Sequence, residues 1–106
     1  MIAKNQKPKI LSLQEIKKGL QKLPGWKYRA NKISKQFEFK SFRQGIALVN
    51  KLAPFCDRID HHPDIHINYR KILFELTRYD IGGKVTDRDL VVAGEIERLY
   101  RKIENN

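Results

Sequence analysis

The 106-residue sequence predicts an α+β two-layer sandwich: a four-stranded antiparallel sheet with three helices packed on one face, in the order α-β-β-α-β-β-α. Three observations carry the prediction. Two pairs of short segments alternate apolar and polar residues with period two, the signature of half-buried strands. Between and around them run segments whose apolar residues recur every three or four positions, the signature of amphipathic helices. Finally, 41% hydrophobic and 32% charged residues over this length describe one ordinary globular domain with a modest core.

The elements follow in order. Residues 1–11 read as a flexible basic arm, with Pro8 opposing helix, and residues 12–106 as the single domain. Ser12 has the character of an N-cap, with Glu15 at the capping-box spacing. Leu13, Ile16 and Leu20 then share a helical face. Gly19 weakens that helix, and Leu23-Pro24-Gly25 ends it. Trp26-Lys27-Tyr28-Arg29 alternates, Ala30-Asn31 turns, and Ile33, Lys35, Phe37 and Phe39 share one strand face. Together these residues form a hairpin. From Ser41 the stripe Phe42, Ile46, Val49, Leu52/Ala53, Cys56 and Ile59 predicts a helix of about five turns. Pro54 is expected to kink or break it by removing the hydrogen bond to the Asn50 carbonyl. His61-His62-Pro63 is expected to end it, because the residue before proline avoids the helical region. Ile65 and Ile67 mark a third strand, Tyr69-Arg70 a turn, and Ile72, Phe74 and Leu76 a fourth strand. Gly82-Gly83 breaks the chain. Thr86 caps a last helix with Asp87 and Asp89 in its first turn, and Leu90, Ala93, Ile96, Leu99/Tyr100 and Ile103 form its stripe.

Composition narrows the function classes. A single cysteine, Cys56, excludes an internal disulfide framework and a cysteine-based zinc site. On the apolar stripe it reads as core filler. No apolar run approaches the ~18 residues of a membrane span, and the N-terminus lacks a secretory apolar run, so the expected location is cytoplasmic. The net charge of +10 is lopsided: residues 1–53 hold 13 Lys+Arg and 2 acids, residues 54–106 hold 9 and 10. A lysine-rich solvated face explains this better than nucleic acid does, since no helix-turn-helix, RNP or zinc-finger signature accompanies it.

The chemistry concentrates in Asp57-Arg58-Ile59-Asp60-His61-His62-Pro63-Asp64. Imidazole is the side chain that ordinarily exchanges protons near neutral pH, so a pair can serve a bound substrate as acid and base. Neighbouring Asp57, Asp60 and Asp64 could raise its basicity. A metal site is disfavoured, because adjacent histidines do not converge readily on one ion and no HxH or HExxH spacing occurs. His66, one register away, is expected to face solvent. From the residues alone the pair fits either a catalytic site or a surface turn.

The motif Asp57-x3-His61-His62-Pro63, the aromatic Tyr69, Asp80-x-Gly82-Gly83 and Thr86-x-x-Asp89 resembles the pterin-4a-carbinolamine dehydratases. Leu23-x-Gly25-Trp26 and Phe37-x-Phe39-x-x-Phe42 match the same family, and the resemblance spans about residues 12–103. It implies a hydro-lyase that removes water from 4a-hydroxytetrahydropterin to give quinonoid dihydropterin, in tetrahydropterin recycling. One proton goes to the departing hydroxyl and one leaves N5, with no metal or redox cofactor. By similarity His61 and His62 flank the pterin as catalytic residues, and Asp57 and Asp89 support them. Pro63, Thr77 and Arg78 are the candidate substrate-binding residues. Tyr79 takes the third catalytic position, where active members usually carry a histidine. A phenol donates a hydrogen bond but, with an ordinary pKa of about 10, is the poorer proton shuttle. Lys84 adds one residue between Gly-Gly and Thr86, which would shift Asp89.

The resemblance also implies a homodimer or homotetramer built through helices and sheet edges. Val91, Val92 and Tyr100, left over on the last helix, fit that use or extra core packing. The alternative reading is a non-catalytic relative, similar to dehydratase-like proteins that assist Rubisco assembly, whose basic half docks on an acidic protein. A coactivator-like partnership with transcription factors or nucleic acid has charge in its favour but no motif.

Overall fold

The computed structural model describes residues 7–105. The elements are α1 (Leu13–Leu20), β1 (Lys27–Arg29), β2 (Lys32–Glu38), α2 (Phe42–Ile59), β3 (Asp64–Asn68), β4 (Lys71–Leu76) and α3 (Asp87–Glu104). A single 3₁₀ turn at Tyr79–Ile81 precedes α3. The four strands form one antiparallel sheet in the order β1-β2-β4-β3. The predicted fold class and element order are therefore those observed, with β1 and β3 as edges.

Register follows the period-two pattern. Pairing Ile33 with Leu76, and Phe37 with Ile72, puts every fully buried strand residue on the helix-covered face. Trp26, Phe37, Phe74, Phe39 and Tyr100 build an aromatic spine there, with ring centres 4.8–6.1 Å apart. Leu48, Leu52, Val92 and Ile96 complete the core, each burial worth roughly 1.5–3 kcal/mol. Lys35 shares the inward face by extending its ammonium to Glu97 (2.8 Å) and to the Pro24 carbonyl (2.8 Å). The Ala30-Asn31 turn places both residues at positive φ (53° and 64°), the geometry of a two-residue hairpin.

Several expectations are corrected. The arm 1–11 begins outside the described residues, but its end is not loose. Leu11 N–H donates to the Val85 carbonyl (3.0 Å), and Lys9 exchanges hydrogen bonds with Asp87 (2.9 and 3.0 Å). α2 runs unbroken through Pro54, whose ring lies on the exposed face while Leu52 and Cys56 on either side are buried. Core contacts on the opposite face hold the helix through the one position that lacks an N–H. The stripe of α2 is also rotated in its first half: Gly45 and Leu48 face the core, whereas Phe42 is half exposed. On α3, Val92 is fully buried and belongs to the core. Gly19, read as a weak point of α1, has a packing role, since a Cβ there would come within 2.6 Å of Leu90.

The Ser12–Glu15 capping box forms as predicted. Ser12 Oγ accepts from Glu15 N–H (3.1 Å), and Glu15 accepts from Ser12 N–H (2.9 Å) and Lys9 Nζ (2.7 Å). The Lys9 hydrogen bond is the main cause that lowers the Glu15 pKa to about 2 from 4.5. A carboxyl lowered on folding stabilises the fold above its unfolded pKa and loses that contribution as pH falls through the folded value. Glu15→Gln should therefore destabilise the protein at pH 7, and urea melts should show the gap to wild type closing between about pH 4.5 and 2.

Candidate active site

The site forms where the end of α2, the start of β3, the end of β4 and the start of α3 meet. α2 stops at Ile59, two residues before the predicted point, because Asp60 adopts the left-handed conformation (φ 54°, ψ 47°). Asp60 N–H then donates to the Asp57 carbonyl (3.3 Å) and His61 N–H to the Cys56 carbonyl (3.1 Å), a Schellman closure. This turn, more than Pro63, sends the two adjacent histidines to different environments. His61 is buried, at 4% exposure, whereas the His62 side chain is 55% exposed.

Each histidine has its own carboxylate. His61 Nε2 hydrogen-bonds Asp89 Oδ1, and Asp89 is fully buried. A carboxylate can only accept, so Nε2 carries the hydrogen of this pair, leaving Nδ1 as the other ring nitrogen. Asp89 Oδ2 accepts from the Thr86 N–H (2.8 Å) and hydroxyl (3.4 Å). One side chain therefore caps α3 and orients His61. Asp89 stands within hydrogen-bond reach of His61 with Lys84 in the loop before it. The loop closes on itself, through Arg78 N–H to Lys84 O (2.9 Å) and Gly83 N–H to Arg78 O (3.0 Å), with Gly82 and Gly83 at φ 80° and 76°. At the surface, His62 Nε2 meets Asp57 Oδ1 at 2.9 Å.

An open cleft of about 280 Å³ is lined by Asp60, His61, His62, Thr77, Arg78, Tyr79 and Asp80. Five of the residues proposed from sequence therefore line one cleft. The other three lie outside the lining. Asp57 and Asp89 stand behind the histidines, and Pro63 faces a separate apolar hollow with Val49, Leu52, Ala53, Cys56, His62 and Ile65. Thr77 is buried and its hydroxyl donates to the Asn31 carbonyl (2.7 Å), tying the cleft to the β1–β2 turn. Arg78 is clamped by Asp80 through two bonds (2.7 and 3.2 Å), which raises the guanidinium pKa and lowers that of the carboxyl. Tyr79 is exposed at the rim, and its hydroxyl bonds Asp64. Cys56 lies behind this region, 2% exposed, and burial pushes its thiol up to about 11. His66 faces outward and meets Glu75 at 2.8 Å.

Sequence reasoning passed over Arg88. It is 2% exposed and donates from Nη1 to the Ile59 carbonyl (3.1 Å), binding the last turn of α2. Only its position beside Asp89 in a first helical turn could have hinted at this. Asp80 of the Asp-x-Gly-Gly segment was similarly in view without a role. Among the described residues no three His, Cys, Asp or Glu side chains converge to hold a metal ion, and no helix is long and apolar enough to cross a membrane.

Comparison with known proteins adds the chemistry to this geometry. A family model described as "Pterin 4 alpha carbinolamine dehydratase" matches residues 9–99. A Sulfurisphaera tokodaii protein named "Putative pterin-4-alpha-carbinolamine dehydratase" is 40% identical over 91 residues, 86% of this chain and 97% of the relative. One of the same name from Picosynechococcus is 42% identical over 85 residues, 80% of this chain and 91% of the relative. The fold is similar to the crystal structure of a transcriptional coactivator/pterin dehydratase from Brucella melitensis. The TM-score is 0.80 at 25% identity, covering 85% of this chain and 97% of that one.

Asp89→Ala removes the acceptor of both the His61 ring and the Thr86 N–H inside the core. With the lost cap, the cost should be about 2–5 kcal/mol. Urea unfolding should show this as a lower midpoint at unchanged slope.

Proposed function

The chain belongs to the pterin-4a-carbinolamine dehydratase family, and from that premise we propose that it dehydrates 4a-hydroxytetrahydropterin to quinonoid dihydropterin, in tetrahydropterin recycling. The observation that carries this reading is the pair of imidazoles on one cleft wall, each held by its own carboxylate: buried His61 by Asp89, exposed His62 by Asp57. Loss of water from C4a requires a proton for the departing hydroxyl and removal of one from N5. Two oriented imidazoles are the side chains suited to such transfers near neutral pH. In this reading Tyr79 is the third catalytic group, and Thr77 and Arg78 form the wall against which the pterin lies. The test is the dehydration rate of 4a-hydroxytetrahydropterin. Wild type should turn over, and His61→Ala and His62→Ala should each lose about 10²–10⁴-fold in kcat. A wild type at the uncatalysed rate removes the proposal.

We also propose that the protein works as a homo-oligomer, with β3 as the contact edge. β3 pairs on one side only, and its inward Ile67 is 40% exposed. Beside it, Val49, Ala53 and Ile65 line the apolar hollow of about 110 Å³. Unpaired strand edges flanked by apolar side chains favour pairing with another chain. Sedimentation velocity should give a multiple of the 12.5 kDa protomer that falls toward one copy in Ile67→Lys; a monomeric wild type at tens of micromolar refutes it.

A further inference from the structure

The Tyr79 side chain meets charged residues from two strands. Its hydroxyl donates to Asp64 Oδ2 at the start of β3. Lys32 Nζ, from β2, lies 5.6 Å from the Tyr79 ring centre. Its hydrogen bond to Tyr79, ahead of the field of Glu75, raises the Lys32 ammonium above its ordinary 10.5. Behind them Glu75 of β4 lies 4.0 Å from Lys32 and accepts from His66 of β3 at 2.8 Å. Arg78 and Asp80, the charged neighbours in the chain, are engaged with each other. Asp64 and Lys32 do not line the cleft; they reach it only through the phenol.

We propose that Asp64 and Lys32 are positioning residues that make Tyr79 the proton acceptor of the dehydration, an inference that rests on the dehydratase reading above. A phenol has one hydrogen and two lone pairs. Asp64 takes the hydrogen, so the lone pairs are left to accept from an N–H donor in the cleft, with the Lys32 ammonium beside the ring. A phenol alone is a weak base at neutral pH. With a carboxylate behind it, the phenol passes the proton on and never carries an extra one. In the step, the N5–H proton moves to Tyr79 Oη while the Tyr79 hydroxyl proton moves to Asp64. The N5–H bonding pair becomes the second bond between N5 and C4a, and the C4a–O bond breaks. The departing hydroxide leaves as water with a proton from a histidine, and Asp64 and that histidine then exchange protons with solvent. Surface charge pairs of this kind add little to stability. A carboxylate and an ammonium brought from two strands onto one phenol at the cleft rim are better explained by its chemistry.

The experiment is a kinetic double-mutant cycle on Asp64→Asn and Tyr79→Phe, with Asp64→Glu and Lys32→Met beside it. Each variant is first checked for a wild-type urea midpoint. Asp64→Asn keeps a hydrogen-bond acceptor but cannot take the proton. It and Tyr79→Phe should each lower kcat about 10²-fold, with KM within about threefold of wild type. The double variant should be no more than about threefold slower than either single, because the two act as one unit. Asp64→Glu should recover most of the rate, and Lys32→Met should lose about tenfold in kcat. If wild type turns over but Asp64→Asn keeps its kcat, or the two losses multiply in the double variant, the inference falls and the dehydratase reading stands. If wild type shows no turnover, both fall.

Discussion

The site and the fold both depend on the buried hydrogen bond between His61 and Asp89. It joins the segment leaving α2 to the first turn of α3, where Asp89 is fully buried and His61 is exposed only at the cleft. Burying a carboxylate costs several kcal/mol unless its oxygens find donors. Here one oxygen takes the His61 ring and the other takes the Thr86 N–H and hydroxyl. Arg88, next in the same turn, donates to the last carbonyl of α2, where the helix dipole favours a cation. Two consecutive charged residues of α3 thus secure the end of α2. The imidazole they hold cannot be removed without loosening the helix packing.

The two histidines differ because the backbone separates them. Asp60 in the left-handed region turns the chain within one residue, so that His61 goes inward and His62 outward. A non-glycine residue there carries a conformational cost, of the kind that concentrates at functional turns. The rest of the cleft lining, Thr77 to Asp80, belongs to the loop that runs from Thr77 to Gly83. Its consecutive left-handed glycines let it close on Arg78 and present Tyr79 at the rim. The end of α2 and this loop together line the cleft.

Much of this was legible in the residue order. Period-two segments around Ala30-Asn31 and Tyr69-Arg70 announced the two hairpins. Ser12–Glu15 and Thr86–Asp89 announced the helix starts, because capping is written within four residues. The candidate site was legible in part for the same reason: His61-His62-Pro63 and Asp80-x-Gly82-Gly83 are local motifs. The misreadings have a shared cause. Pro54 was weighed by its local cost, whereas the contacts of Leu48, Leu52 and Cys56 with the core lie far away in sequence. Phe42 falls on the apolar stripe and Arg88 does not, yet burial is settled by which element lies opposite.

By itself the sequence determined the α+β class, the order of elements, the caps, the strand faces and the residue types available for proton transfer, all properties of short stretches of chain. Only the tertiary structure decided which of two identical neighbours is buried, that Asp89 serves His61 from 28 positions away, and that Tyr79 meets Asp64 and Lys32 from two different strands. The physical reason is that hydrogen bonding and desolvation depend on distance in space. Chain separation carries no information about that distance until the sheet and helices have packed.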